Sequence, residues 1–121
     1  VRMSEPALVD WLRARPDLPL DVAAVNGPMA TVLSGPREAV QSAIDALRAS
    51  GVEASPLHTS HAFHSRMLEP MQAGLAQVFA GITLSAPAIP VISSATGRAL
   101  SDAEAVDPAY WVRQLRAPVR Y

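Results

Sequence analysis

Eleven prolines are spread along these 121 residues, and they constrain the fold more than any other feature. Proline has no N–H to give to a helix or a ladder and its ring clashes with the preceding turn, so it stands at element ends. Scattered in this way, the prolines cut the chain into short elements instead of forming one linker. The first elements follow from the punctuation. Ser4 can cap a helix with Glu5 and Pro6 in its first turn and Leu8, Trp11 and Leu12 on one face, and Arg15-Pro16 ends it. Leu20 to Val25 and Met29 to Leu33 read as two strands of a hairpin joined at Asn26-Gly27-Pro28, by a loop of two residues or more. Gly35-Pro36 then opens a helix with Glu38 near its positive end and Ala39, Val40, Ala43, Ile44 and Leu47 on its apolar face, with Arg48 and Gly51 as stop signals. Val52 to Leu57 is expected as a third strand.

The order helix, strand, strand, helix, strand lacks only a leading strand to make the ferredoxin-like βαββαβ unit, and Val1-Arg2 is the expected stub of that strand. A second kind of segment begins after His64. Met67, Leu68, Met71, Leu75, Val78, Phe79 and Ile82 fall on one helical face and predict a core-facing helix. Pro70 either lies in its first turn or kinks it. Ile89 to Ser93 reads as a short buried strand, Ala95-Thr96-Gly97-Arg98 as a turn, and Asp107-Pro108 as the start of a helix running through Tyr110, Trp111 and Leu115. The fold class expected is α+β, with residues 1–60 as one small unit and 61–121 as elements that do not close a core by themselves. Val1 without an initiating Met, and Tyr121 closing an apolar segment, lead us to expect a piece of something larger.

Composition excludes several classes of function. The net charge is −1, with ten basic and eleven acidic residues interspersed, so there is no stripe to neutralise a nucleic-acid backbone or an anionic membrane. No apolar run approaches the ~20 residues of a membrane span, and Val1-Arg2-Met3-Ser4 does not resemble a signal peptide. Without cysteine there is no disulfide framework, thiolate zinc site or cysteine nucleophile, which fits a reducing compartment. A soluble, cytoplasmic protein is the expectation.

Chemistry concentrates in three histidines, His58, His61 and His64. An extended chain would put His58 and His64 on one side and His61 on the other, with no cysteine or carboxylate cluster to complete a shell, so no metal site is expected. His64 stands at the junction between a strand and a helix. There the positive end of the helix would disfavour imidazolium and keep a general base neutral. Read from the residues alone, it is either such a base or a structural histidine bonded to backbone.

The run His61-Ala62-Phe63-His64-Ser65 resembles the His-Ala-Phe-His motif of malonyl-selective acyltransferase domains in modular polyketide synthases. Asn26-Gly27-Pro28 with Val32-Leu33-Ser34-Gly35 is similar to the hairpin of that family's small subdomain, and Tyr110-Trp111-Val112-Arg113-Gln114-Leu115-Arg116-Ala117-Pro118-Val119-Arg120-Tyr121 to its closing segment. The matches follow the family's order along essentially the whole chain. The resemblance implies a ferredoxin-like small subdomain over 1–60, its first strand mostly missing, and part of an α/β-hydrolase-like large subdomain over 61–121, with a cleft between them. It implies His64 as the catalytic base and Gln114 as the residue whose backbone carbonyl accepts the other imidazole proton. His61 and Phe63 are implied as selectivity residues, Phe being typical of malonyl domains and Ser of methylmalonyl ones.

The activity implied is transfer of malonyl from malonyl-CoA, through a serine ester, to the phosphopantetheine thiol of an acyl carrier protein. No bound metal or redox cofactor is expected, and the partners are malonyl-CoA, the carrier protein and the rest of the synthase. The family's Gly-His-Ser-x-Gly elbow and its carboxylate-binding arginine are not in this chain. Ser34 and Ser65 do not match the elbow, so the chain alone is expected to be inactive. Two other readings are a non-catalytic ferredoxin-like binding module with structural histidines, and a related acyltransferase of different acyl preference or a standalone malonyl transacylase.

Overall fold

In the computed structural model, which describes residues 1–121, the chain is a small mixed α+β structure. Helix α1, Glu5–Arg13, carries Glu5 and a proline in its first turn and buries Leu8 completely. Ser4 occupies the cap position, but its side chain makes no capping bond. Strands β1, Asp21–Gly27, and β2, Ala30–Ser34, pair antiparallel, with Gly27 opposite Ala30, so the hairpin loop is Pro28-Met29. The chain then passes Gly35 with no room for a side chain: a Cβ there would lie 2.6 Å from the Pro19 carbonyl oxygen. Helix α2, Arg37–Ala49, starts one residue after Pro36, which serves as the cap and not as the first helical residue. It buries Ala39, Ala43, Ile44 and Leu47, the apolar face expected from their i, i+4 spacing. Arg48 Nε donates to the Ala54 carbonyl, and Gly51 turns the chain at φ +81°.

The strand expected over Val52–Leu57 does not form. Pro56 removes a donor towards its end, and its backbone tie to the first residues of the chain is the Arg2 N–H donating to the Glu53 carbonyl at 2.8 Å. On the other side, the N–H of Thr31 donates to the Val1 carbonyl, and the Val1 amine to the carbonyl of Thr31. Val1–Arg2 therefore lies between β2 and Glu53. Two buried clusters fill the space beneath: Leu20, Ala39 and Ala43 with Trp11, Leu12 and Leu33, and Ile44, Leu47 and Ala54 with Val1, Met3 and Val52.

Beyond residue 60 the structure departs further from expectation. The apolar stripe is not one helix but a six-residue 3₁₀ helix, Arg66–Met71, followed by α3, Gln72–Ala80. Pro70 sits inside the 3₁₀ portion, so the proline is accommodated by a change of helix type. Nor does the stripe face a core. Leu68 is buried, but Met67, Met71, Val78 and Ile82 are each half exposed or more. Their periodicity is real, and what α3 packs on in this chain is the 3₁₀ turn and α5, Pro108–Gln114, with no layer over its outer face.

The strand expected at Ile89–Ser93 reduces to a bridge between Ile92 and Ala99 around the turn at Gly97, φ +70°. Two elements had not been expected. Helix α4, Asp102–Ala105, is held by a capping box between Ser101 and Glu104, and β3, Val119–Arg120, lies parallel to β1 and completes a sheet of order β2-β1-β3. No helix is long and apolar enough to cross a membrane.

Candidate active site

The residues singled out from sequence lie on the irregular segment between α2 and the 3₁₀ helix. His58 and His61 are exposed. His61 Nδ1 is 3.0 Å from Ser60 Oγ, and its ring leans on Phe63 with centroids 5.9 Å apart. Phe63 is half exposed, its outward face uncovered by this chain.

His64 differs from both. It is the one non-glycine residue with positive φ, at 56°, a conformation that costs a residue with a Cβ roughly 1–2 kcal/mol. Its Nδ1 is buried with no hydrogen-bond partner. The bond expected from the imidazole to the Gln114 carbonyl is therefore not made. Gln114 ends α5, and its side chain donates to Ser94 Oγ at 3.0 Å. No strand precedes His64, so the strand-to-helix junction expected there is a loop-to-3₁₀ junction.

The helix that follows does not offer His64 a free positive end. Its first amides are taken: the Arg66 N–H donates to Asp21 Oδ2 at 2.8 Å and the Met67 N–H to Ser65 Oγ at 3.2 Å. The carboxylate of Asp21 thus occupies the first amide of the helix that follows His64. Ser65 is fully buried, and its hydroxyl also donates to the Ala62 carbonyl at 2.6 Å, closing the loop across His64.

Three residues that sequence reasoning did not assign to the site hold this loop. Asp21, at the start of β1, accepts from the Arg66 guanidinium at 3.1 and 3.2 Å and from Arg116 at 2.9 Å. Arg116 also reaches Glu69 at 3.1 Å and the His64 carbonyl at 3.5 Å. Burial pushes the Asp21 carboxyl up, but the hydrogen bonds from Arg66 and the charges of Arg116 and Arg66 outweigh it and hold the group below its usual value. Partners 45 and 95 residues apart leave no local sequence signal. Farther along the sheet, Arg120 makes a two-pronged pair with Glu5 at 2.6 and 2.9 Å, again joining the first and last parts of the chain. No three histidine or acidic side chains gather closely enough to hold a metal ion.

Residues 7–121 match the family described as the acyl transferase domain. The chain belongs to the acyltransferase domain family of modular polyketide synthases. Mycoketide-CoA synthase of Mycobacterium tuberculosis is 45% identical over 102 residues, which is 84% of this chain and 2% of that protein. The acyltransferase domain from the second module of the salinomycin polyketide synthase superposes with a TM-score of 0.87 at 39% identity, covering 98% of this chain and 27% of that domain. The acyltransferase domain of SpnD, solved in complex with 2-(pent-4-yn-1-yl)malonyl, superposes equally well, with a TM-score of 0.87 at 32% identity over 99% of this chain and 28% of its own. This acyltransferase segment thus spans little more than a quarter of those solved domains. Within it, Ser34 and Ser65 are both buried, and Ser65 Oγ is engaged as donor and acceptor.

Proposed function

We propose that this chain is the histidine-bearing part of an acyltransferase that carries a malonyl extender unit from malonyl-CoA, through a serine ester, to the phosphopantetheine thiol of an acyl carrier protein in polyketide biosynthesis. The observation that carries the reading is His64. In a chain of acyltransferase family, a histidine at φ 56° with a buried, unpartnered Nδ1 is held at a cost that ordinary packing does not require. Neither ring nitrogen bonds a backbone group here, and neither does that of His61. That counts against the alternative of a binding module with structural histidines.

In this reading His64 accepts the proton of a serine hydroxyl, supplied by the rest of the domain, as its oxygen attacks the thioester carbonyl. Coenzyme A leaves as the thiol, taking that proton. His64 then accepts the proton of the phosphopantetheine thiol, whose sulfur attacks the serine ester, and the serine leaves reprotonated. No electrons change hands and no metal is called for. The Gln114 carbonyl is proposed as the acceptor for the Nδ1 proton once the intact domain has closed on this loop.

His61 and Phe63 are proposed as the wall beside the acyl chain, because Phe63 presents an open aromatic face one residue before His64. The malonyl-derived group bound by the SpnD relative supports a malonyl-type acyl chain as the substrate class. The same reading takes residues 1–60 as a ferredoxin-like small subdomain. Its support is the order Glu53, Val1–Arg2, β2, β1 given by the backbone bonds, which is the order fourth, first, third, second of a four-stranded ferredoxin-like sheet. Residues 61–121 are then part of the large subdomain, with the cleft at the His64 loop.

The test is His64→Ala in the intact domain. Acyl transfer should fall by about 10²–10⁴-fold, the usual weight of general-base assistance, with His58→Ala close to parental. The chain by itself should take up no covalent label from radiolabelled malonyl-CoA. Parental activity in the His64 variant, or stable labelling of a serine in this chain, refutes the reading.

A further inference from the structure

Asp21 is the point at which the His64 loop is tied to the sheet. Its side chain is only 11% exposed, yet it accepts four hydrogen bonds from the far half of the chain. One comes from a backbone amide, the N–H of Arg66, two residues past His64. Two come from the Arg66 guanidinium and one from Arg116. Arg116, 27% exposed, stands between Asp21 and Glu69 and turns a third N–H to the His64 carbonyl. The two carboxylates and two guanidiniums balance in charge, and their hydrogen bonds fix the geometry of the loop.

That geometry bears on the one strained residue. A positive φ at a residue with a Cβ persists only where its neighbours over-determine it. Here one bond reaches the His64 carbonyl, and another fixes the second amide after it. Both depend on Asp21, one directly and one through the Arg116 fork. An isolated surface ion pair would be worth little. A shielded carboxylate that holds a backbone amide and a forked guanidinium together is a different case, because removing it releases both ends of the loop at once.

We propose that Asp21 is a positioning residue for His64, acting through the Arg66 backbone and through Arg116 to set the imidazole's approach to the reacting atoms. This rests on the reading of His64 as the base. Glu5 gives the control: its pair with Arg120 also joins the first and last parts of the chain, and its bonds touch nothing on the His64 loop.

In the intact acyltransferase domain, Asp21→Asn should lower kcat by about ten- to hundredfold, as misplacement of a catalytic group by about an ångström does, with KM for the acyl-CoA changed less than about twofold. Arg116→Lys, which keeps the charge but loses the fork, should fall in the same direction, and it decides the matter if the Asp21 variant does not fold. Glu5→Gln should keep kcat within about twofold even where Tm drops, because an ion pair of this kind acts on stability alone. Equal effects of Asp21→Asn and Glu5→Gln on kcat, or a change in Tm only for Asp21→Asn and Arg116→Lys, overturn the proposal. Failure of the underlying reading looks different: His64→Ala itself then keeps the parental kcat, and the proposal falls with it.

Discussion

Removing the Ser65 hydroxyl should loosen the His64 loop by an amount that can be worked out from two hydrogen bonds. Ser65 is fully buried, and Ala in its place is smaller by one oxygen, so Ser65→Ala introduces no clash and only a minor void. What it removes is the acceptor for the Met67 N–H, at 3.2 Å, and the donor to the Ala62 carbonyl, at 2.6 Å. Loss of a helix cap of this type costs about 1 kcal/mol, and loss of a second, shielded hydrogen bond costs ~0.5–1.5 kcal/mol. Together they give about 2 kcal/mol, or a roughly 30-fold rise in the population of the locally opened loop. Native-state amide exchange reads that quantity directly. In the intact domain, the amides of Met67 and Leu68 should exchange faster by about that factor, while those of α2, which shares no hydrogen bond with Ser65, keep their rates. The rate of acyl transfer should fall with the same substitution, though by less than for His64→Ala. Unchanged exchange at Met67 would refute the assignment of Ser65 as the cap that closes this loop.

Two further outcomes follow from the same structure. The double substitution Phe63→Ser with His61→Tyr should lower the ratio of kcat/KM for malonyl-CoA over methylmalonyl-CoA without inverting it, since one steric contact discriminates by only ~1–3 kcal/mol; parallel loss for both substrates would instead make Phe63 a packing residue. Acid should undo the capping box of α4: backbone and side-chain bonds from Ser101, with Arg98 beside them, hold Glu104 at about 2, against an ordinary 4.5. A depressed carboxyl stabilises the folded form above its unfolded value and loses that contribution as pH falls towards the folded one, so the Tm advantage of the parent over Glu104→Gln should stay constant above about pH 5 and shrink between there and about pH 2. Constancy down to pH 2 would show that the box does not depend on the charge.

The legible parts of the fold were those in which period and punctuation agree. Helices α1 and α2 and the β1–β2 hairpin each carry an apolar face with Pro, Gly or Asn at the ends, and each forms within a residue or two of where it was expected. Where one signal opposed another, the breaker won: Pro56 suppresses the strand over 52–57, and Pro70 converts the first turn of a helical stripe to 3₁₀. Helix α4 was missed although Ser101-Asp102-Ala103-Glu104 is a capping-box sequence, because four residues give no hydrophobic period to notice. β3 was missed because two residues pairing with a strand almost a hundred positions earlier have no local mark at all.

The candidate site divides in the same way. A motif is a local object, and His61, Phe63 and His64 could be named from five consecutive residues. The geometry that makes one of those histidines unlike the others is not local: it depends on Asp21 and Arg116, 95 residues apart, meeting beside the loop. The exposed stripe of Met67, Met71, Val78 and Ile82 extends the point beyond this chain. Its helical period was read correctly, and the inference that it faces a core failed only because periodicity reports that a surface is to be covered and says nothing of what covers it. Only 15 of 121 residues are buried, in a segment that matches about a quarter of the salinomycin and SpnD acyltransferase structures. In this acyltransferase segment the exposed apolar stripe of the 3₁₀ helix and α3 begins at Met67, with Phe63 exposed shortly before it in sequence. The histidine motif and the side left bare of packing thus belong to the same stretch of chain.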